Sequence, residues 1–154
     1  MKVSIITVCY NRVKTIKKAI QSVLDQDYKD IEYIIIDGNS KDGTQQVIEK
    51  YQNQIAQYIS EPDKGMYDAI NKGLAMATGD LVGLLHSDDE LYDTNVISKV
   101  VAAFEQNITL DAVYGDGLYV TNDAEEKIVR NRVGGLFPCE NWKTDGCLFT
   151  QQYT

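Results

Sequence analysis

The sequence predicts an α/β fold: a three-layer, open, mostly parallel sheet with helices on both faces. Two observations carry this expectation. Apolar runs of strand length alternate with segments of helical period along most of the 154 residues, and strand–helix–strand repetition builds right-handed βαβ units around a parallel sheet. One run, Tyr33-Ile34-Ile35-Ile36, is continuous rather than alternating, which suits a strand covered on both faces.

Taken in order, Val3 to Val8 reads as a first strand. From Val13 to Asp25 the apolar residues Ile16, Ala19, Ile20, Val23 and Leu24 fall at helical spacing, with Asn11 as the expected cap. Ile31 to Ile36 is the second strand. A second helix starts at Thr44 with Val47, Ile48, Tyr51 and Ile55 on one face, and Gln57 to Ser60 is a short strand stopped by Pro62. The third helix carries Ile70, Leu74 and Ala77, and Leu81 to Leu85 is the fourth strand. Val96, Ile97, Val100, Val101 and Phe104 mark a fourth helix, with Asp93 as its cap. Ala112 to Tyr114 and Leu118 to Thr121 read as strands, and Lys127 to Val129 as a partner of the latter. From Gly134 the periodicity dissolves and no element is predicted.

Apolar residues make up 44% and charged residues 25%, enough for a core and incompatible with a disordered or fibrous chain. The formal net charge of −8 opposes binding of a nucleic-acid backbone through a basic face. No stretch approaches the ~20 apolar residues that span a bilayer, and Met1-Lys2-Val3-Ser4 runs directly into a strand pattern rather than a secretory leader. Cys9, Cys139 and Cys147 form an odd, sparse set, read as reduced thiols of a cytoplasmic protein.

In open parallel sheets ligands bind beyond the carboxyl ends of the strands. The segments that follow the four strands are Cys9-Tyr10-Asn11, Asp37 to Thr44, Glu61 to Gly65, and His86-Ser87-Asp88-Asp89-Glu90, so one sheet edge collects Asp37, Asp42, Asp63, Asp88 and Asp89. Asp42-Gly43-Thr44 is read as a turn leading into a helix. Asp88 and Asp89 adjoin Glu90, and like charges raise one another's pKa. A divalent cation relieves that repulsion, and Mg²⁺ or Mn²⁺ commonly combines one or two protein carboxylates with substrate phosphates. Asp68, Asn71 and Lys72 share one face of the third helix, a solvated face or a ligand-facing one. Lys64 precedes the positive end of that helix, exposed or set to meet a phosphate.

Several chemistries are excluded. No Gly-x-Gly-x-x-Gly follows the first strand, and Gly38 to Thr44, although P-loop-like in outline, lacks the lysine that reaches the phosphates. The single histidine, His86, cannot build a His-rich zinc site, and Cys139 and Cys147 are too far apart for a Cys-x-x-Cys knuckle. A nucleophilic pair of Cys9 and His86 stays open geometrically, with a buried structural cysteine the commoner case.

Ser4 to Arg12, Ile35 to Thr44, and Ser60 to Leu91 (with Ser-Glu-Pro-Asp-Lys-Gly-Met-Tyr-Asp-Ala-Ile-Asn-Lys-Gly, Ala77-Thr78-Gly79-Asp80 and Ser87-Asp88-Asp89) together resemble family 2 glycosyltransferases of the GT-A fold. The likeness is to the branch that builds bacterial exopolysaccharide, capsule or O-antigen units, and it covers about residues 3–121. The resemblance implies inverting transfer of a sugar from a nucleotide-sugar donor, most often a UDP-sugar, to a glycan or lipid-linked acceptor at the inner face of the membrane. It implies a donor-binding set of Val8, Tyr10, Asp37, Lys64, Asp68, Asn71, Asp88 and Asp89, in which Tyr10 lines the nucleobase pocket and Asp37 meets the nucleoside. Asp88 and Asp89 would hold Mg²⁺ or Mn²⁺. Residues 1–133 then form the nucleotide-sugar-binding domain, and 134–154 the irregular, incomplete start of an acceptor-side region.

The chain departs from the family pattern in three places. Gly38 stands where the second motif commonly has another acid. His86 stands at the first acid of Asp-x-Asp. The catalytic base belongs to a region expected beyond Thr154, and the late carboxylates Glu140 and Asp145 lie in no supporting pattern. A non-catalytic nucleotide-binding fragment is therefore the rival reading. A nucleotidyltransferase would need a Gly-rich basic first loop, which Asn11-Arg12-Val13 does not supply.

Overall fold

The computed structural model describes residues 1–115, 117–121, 128–132, 135–137 and 148–151. Lys127, Cys139, Glu140, Asp145 and Cys147 lie outside the described residues. Strands β1 (Val3–Cys9), β2 (Ile31–Asp37), β3 (Gln57–Ser60) and β4 (Leu81–Leu84) alternate with helices α1 (Ile16–Leu24), α2 (Thr44–Glu49), α3 (Met66–Met76) and α4 (Val96–Gln106). After α4 come β5 (Ala112–Tyr114), β6 (Gly117–Val120), β7 (Ile128–Arg132), β8 (Gly135–Phe137) and β9 (Leu148–Gln151).

The main sheet has the order β3-β2-β1-β4-β9-β5-β8, and β6 and β7 form a separate antiparallel pair. β1 lies parallel to both β2 and β4, and β2 is parallel to β3. The chain thus winds outward from β1 to β3 and returns through α3 to the other side of β1. That reversal of strand order makes the carboxyl ends of β1 and β4 the place where an open α/β sheet leaves a crevice. β1 is buried at all seven positions and β2 at six of seven, as a strand covered on both faces must be.

Two cores lie on opposite faces. On one, Ile5, Tyr33, Ile35 and Leu81 pack against Ile16 and Ile20 of α1, Ile48 of α2 and Ile97 and Phe104 of α4. On the other, Ile6, Val8, Ile34, Ile36 and Val82 pack against Ala69 and Ile70 of α3. The three-layer expectation is met.

Several local expectations are corrected. α3 buries Ala69, Ile70 and Gly73, while Leu74 is 39% exposed. The cause is Gly73, where a Cβ would fall 2.5 Å from Ile6 Cγ2, so the helix backbone settles directly on β1. Asn11 does not cap α1. It adopts φ 54°, Thr15 takes the cap position, and the Arg12 carbonyl accepts the Thr15 and Ile16 amides. Asp93 does not cap α4 either: its Oδ1 accepts the Asn95 amide at 3.0 Å, and the Ile97 amide donates to Oε1 of the buried Gln26 at 3.0 Å. α2 stops at Glu49, ahead of a 3₁₀ turn at Gln52–Gln54. After Gly134, where no element is predicted, β8 and β9 join the main sheet, with β9 between β4 and β5.

At the amino ends of the strands, buried Glu32 fastens three segments. Its carboxylate accepts from Lys2 Nζ at 2.8 Å, Ser4 Oγ at 2.6 Å, the Thr78 amide at 2.8 Å and Thr78 Oγ1 at 2.7 Å. Asp80 accepts the Lys2 amide at 2.7 Å, and the Gly79 amide donates to Ser4 Oγ at 2.9 Å. A Cβ at Gly79 would meet the Ser4 amide nitrogen at 2.7 Å. The Ala77–Asp80 motif therefore acts at the edge opposite the strand-end loops.

Burial alone would push the Glu32 carboxyl up, but the hydrogen bonds from Lys2, Ser4 and Thr78 outweigh it and hold the carboxyl at about 2, against an ordinary 4.5. A depressed folded-state value stabilises the protein above the unfolded pKa, a contribution on the order of 3 kcal/mol. That stability is expected to fall as pH drops from about 4.5 towards 2, and acid unfolding of Glu32→Gln should show a shallower slope in this window. Gly79→Ala is expected to cost roughly 1–3 kcal/mol in denaturant unfolding by overpacking.

Candidate functional site

The opposite edge is organised around Asp37, the last residue of β2, which is 0% exposed. Its carboxylate accepts from the Ser40 amide at 3.0 Å, from Ser40 Oγ, from Ser60 Oγ at 2.6 Å and from Cys9 Sγ at 3.5 Å. Those donors come from the ends of β1 and β3 and from the loop after β2. Four donors occupy the lone-pair sites of an ionised carboxylate. The Asp37 carboxylate thereby positions the three segments that supply its donors. Val8, 8% exposed, packs in the core on the α3 face.

The loop after β2 is stitched to the loop after β1. The Asn11 amide donates to Ser40 Oγ at 2.8 Å, the Arg12 amide to Thr44 Oγ1 at 2.8 Å and the Val13 amide to Asp42 Oδ2 at 3.1 Å. In return the Lys41 amide donates to Asn11 Oδ1 at 3.0 Å. Asp42 Oδ1 also accepts the Thr44 amide at 3.0 Å, so the turn-forming reading of Asp42 stands. The Thr44 hydroxyl, which also donates to Oδ1 at 2.5 Å, leads the bonds that hold its carboxyl below the ordinary value.

This scaffold presents Tyr10, 61% exposed at the end of β1. Beside it Gly38 allows a close approach of the loops: a Cβ there would lie 3.2 Å from Tyr10 Cδ2 and 2.7 Å from Asp63 Oδ2. The loops after β1, β2 and β3 thus converge on one point, a juxtaposition that Asp63's bare position among the strand-end acids does not reveal.

The approach to α3 is held by its own side chains. Asp68 Oδ2 accepts the Lys64 amide at 3.1 Å. Lys72 Nζ reaches Glu61 Oε1 at 2.8 Å, the Pro62 carbonyl at 3.2 Å and Asp68 Oδ2 at 3.5 Å. Of the polar face expected to meet a ligand, Asp68 and Lys72 brace the loop, while Lys64 and Asn71 are exposed. The Lys64 amide contact leads the effects that depress the Asp68 carboxyl.

After β4, the Asp89 amide donates to the His86 carbonyl at 3.0 Å, which closes a turn with Ser87 buried and Asp88 and Asp89 exposed. The third acid turns away, since Glu90 Oε1 pairs with Lys18 Nζ of α1 at 3.6 Å. Desolvation and then the neighbouring Asp88 charge raise the Asp89 carboxyl, against an opposing pull from His86. Cys9 is no nucleophile: burial first, then the Asp37 charge and hydrogen bond, push its thiol far above the ordinary range.

A parallel half-sheet that reverses at β1, with acidic loops gathered at the reversal, is the architecture of the GT-A transferases. The glycosyl transferase family 2 profile matches residues 4–149, and the chain belongs to that family. An uncharacterised glycosyltransferase of Mycobacterium tuberculosis is 36% identical over 117 residues, 75% of this chain and 45% of the relative. A PGL/p-HBAD biosynthesis glycosyltransferase of Mycobacterium bovis is 30% identical over 73% of this chain and 45% of its own length. The chain thus spans just under half the length of these relatives. Among solved structures, S. aureus TarS residues 1–349 in complex with UDP-GlcNAc superposes with TM-score 0.71 at 26% identity, over 79% of this chain and 36% of that one. A Pyrobaculum calidifontis mannosyltransferase, solved with GDP-Man and Mn²⁺, shares the fold with TM-score 0.68 at 24% identity, over 74% and 35%.

The Cys9 environment sets an expectation for peptide mapping. Iodoacetamide is expected to leave Cys9 unmodified in the native protein and to alkylate it in urea; native alkylation of Cys9 would contradict the buried, neutral thiol.

Proposed function

We propose that this chain binds a nucleotide-sugar donor, with Mg²⁺ or Mn²⁺, at the carboxyl ends of β1 and β4. The sugar then passes with inversion to a hydroxyl of a glycan or lipid-linked acceptor during cell-surface polysaccharide synthesis. The observation that carries the reading is the placement of Tyr10, Asp88 and Asp89 where the sheet order reverses, in a family member whose 26%-identical structural neighbour was solved with UDP-GlcNAc. A UDP-sugar is the donor we assign.

Each element has a physical task. The exposed Tyr10 ring offers a flat apolar face for a nucleobase. Asp88 and Asp89 supply hard oxygen donors of the kind that Mg²⁺ and Mn²⁺ prefer. Among the described residues no group of three His, Cys, Asp or Glu side chains is placed to hold an ion. Held by Asp88 and Asp89 together with the donor, such an ion would supply positive charge to the departing diphosphate. Lys64, exposed just ahead of α3, adds a second cation within this family of loops. The Asp37 and Asp42 contacts fix the loops before the donor arrives, which reduces the ordering cost of binding.

Among the described residues no helix is long and apolar enough to cross a membrane. We assign the chain to the cytoplasm, meeting lipid-linked acceptors at the inner membrane face.

Calorimetric titration of UDP, GDP and CDP, each with and without Mn²⁺, tests the reading. One nucleotide is expected to bind in a metal-dependent manner, and Asp88→Asn to weaken it by about tenfold or more, the scale of a lost charge-assisted contact. Binding that ignores both metal and Asp88 would remove the metal assignment. Product formation from a donor and an acceptor separates an active transferase from a binding-only fragment.

A further inference from the structure

The loop between β3 and α3, with the first turn of that helix, sets Lys64 among the carboxylates of Glu61, Asp63 and Asp68. Opposite charges at close range attract, yet Lys64 is exposed and forms no ion pair among the described residues. The acids are occupied elsewhere. Lys72 Nζ, one turn further along α3, lies 2.8 Å from Glu61 Oε1 and 3.5 Å from Asp68 Oδ2. It also donates to the Pro62 carbonyl at 3.2 Å, which ties down the loop backbone. Asp68 Oδ2 accepts the Lys64 amide at 3.1 Å, and Asp63 Oδ1 accepts the Gly65 amide at 2.9 Å. Lys72 is the most enclosed side chain of its cluster, 25% exposed against 37% for Asp68 and 52% for Glu61, so its ammonium sits between the acids rather than in solvent.

We propose that Lys72 is a positioning residue for the donor's diphosphate: by holding Glu61 and Asp68 it leaves the Lys64 ammonium unpaired and fixes the loop that carries it. This rests on the donor-site reading above and adds to it a residue that does not itself touch the donor. Without the Lys72 charge, Glu61 and Asp68 become free to capture Lys64, and the Pro62 carbonyl loses its tie. A lysine already paired with a carboxylate must give up that partner before it can meet a phosphate, so the loss falls on phosphate binding. The nucleoside half of the donor, met by loops that are held through Asp37 and Asp42, is unaffected.

Titration of UDP and UMP in saturating Mn²⁺ into the full chain reads the contribution of the second phosphate as the ratio of the two affinities. Lys72→Met is expected to lower that ratio about tenfold, the scale of a lost charge-assisted contact, with UMP affinity unchanged. Exposed ion pairs contribute little to stability, so its melting temperature is expected to stay at the wild-type value. Lys72→Arg, which keeps a cation for both carboxylates, should retain the ratio. Lys64→Met should lower it by the same factor, and Lys72→Met added to Lys64→Met should lower it no further. An unaltered ratio in Lys72→Met, or an equal loss for UDP and UMP, would overturn the positioning role and leave the donor site standing. A further loss in the double variant would overturn the route through Lys64. Failure of both nucleotides to bind the folded wild type would overturn the donor-site reading together with this one.

Discussion

One buried carboxylate holds the carboxyl-end edge of the parallel strands together. Removing the Asp37 charge from water costs several kcal/mol unless hydrogen bonds replace its hydration, and here Cys9, Ser40 and Ser60 supply them. Because those donors belong to the end of β1, the loop after β2 and the end of β3, the charge cannot be satisfied unless all three segments are in place. The loop after β2 in turn offers Ser40, Asp42 and Thr44 to the amides of Asn11, Arg12 and Val13. The position of Tyr10 is therefore set by a chain of contacts that begins at a fully buried carboxylate.

The two edges of the sheet divide the work. Glu32 and the Ala77–Asp80 segment fasten the amino ends of β1, β2 and β4 through a second satisfied carboxylate. A motif that runs continuously from Ser60 to Asp89 in the sequence thus mixes two roles. Its outer parts face the crevice, and its middle part closes the far end of the sheet.

The fold was legible in the sequence because burial on two faces leaves a continuous apolar run at Tyr33–Ile36 and helices leave a 3.6-residue period. What the periodicity could not report was how closely an element approaches its neighbour. Leu74 matches the apolar stripe of α3, but the absence of a side chain at Gly73 lets the helix rest on Ile6 and turns Leu74 outward. Caps were misassigned for a related reason. Asn11 and Asp93 have the chemistry of caps, yet Asn11 serves a partner 30 residues away at Lys41, and the amide awaiting Asp93 is served by Gln26, 71 residues from Ile97. At the site, residue type located the acidic edge, with Asp88 and Asp89 exposed on it. Type alone could not distinguish an exposed carboxylate, as in Asp88, from one consumed by the protein, as in Asp37. That distinction depends on donors brought in from other strands.

The position of β9 bears on how the molecule is assembled. β4 pairs with β1 early in the chain, with Val3 beside Leu81, whereas its other side waits for Leu148–Gln151, with Val82 facing Thr150. The parallel half of the sheet is paired by contacts within the first 85 residues or so, all of which are synthesised before Leu148–Gln151. During synthesis the free edge of β4 is therefore a strand template open to other chains, and β9 is the segment that retires it.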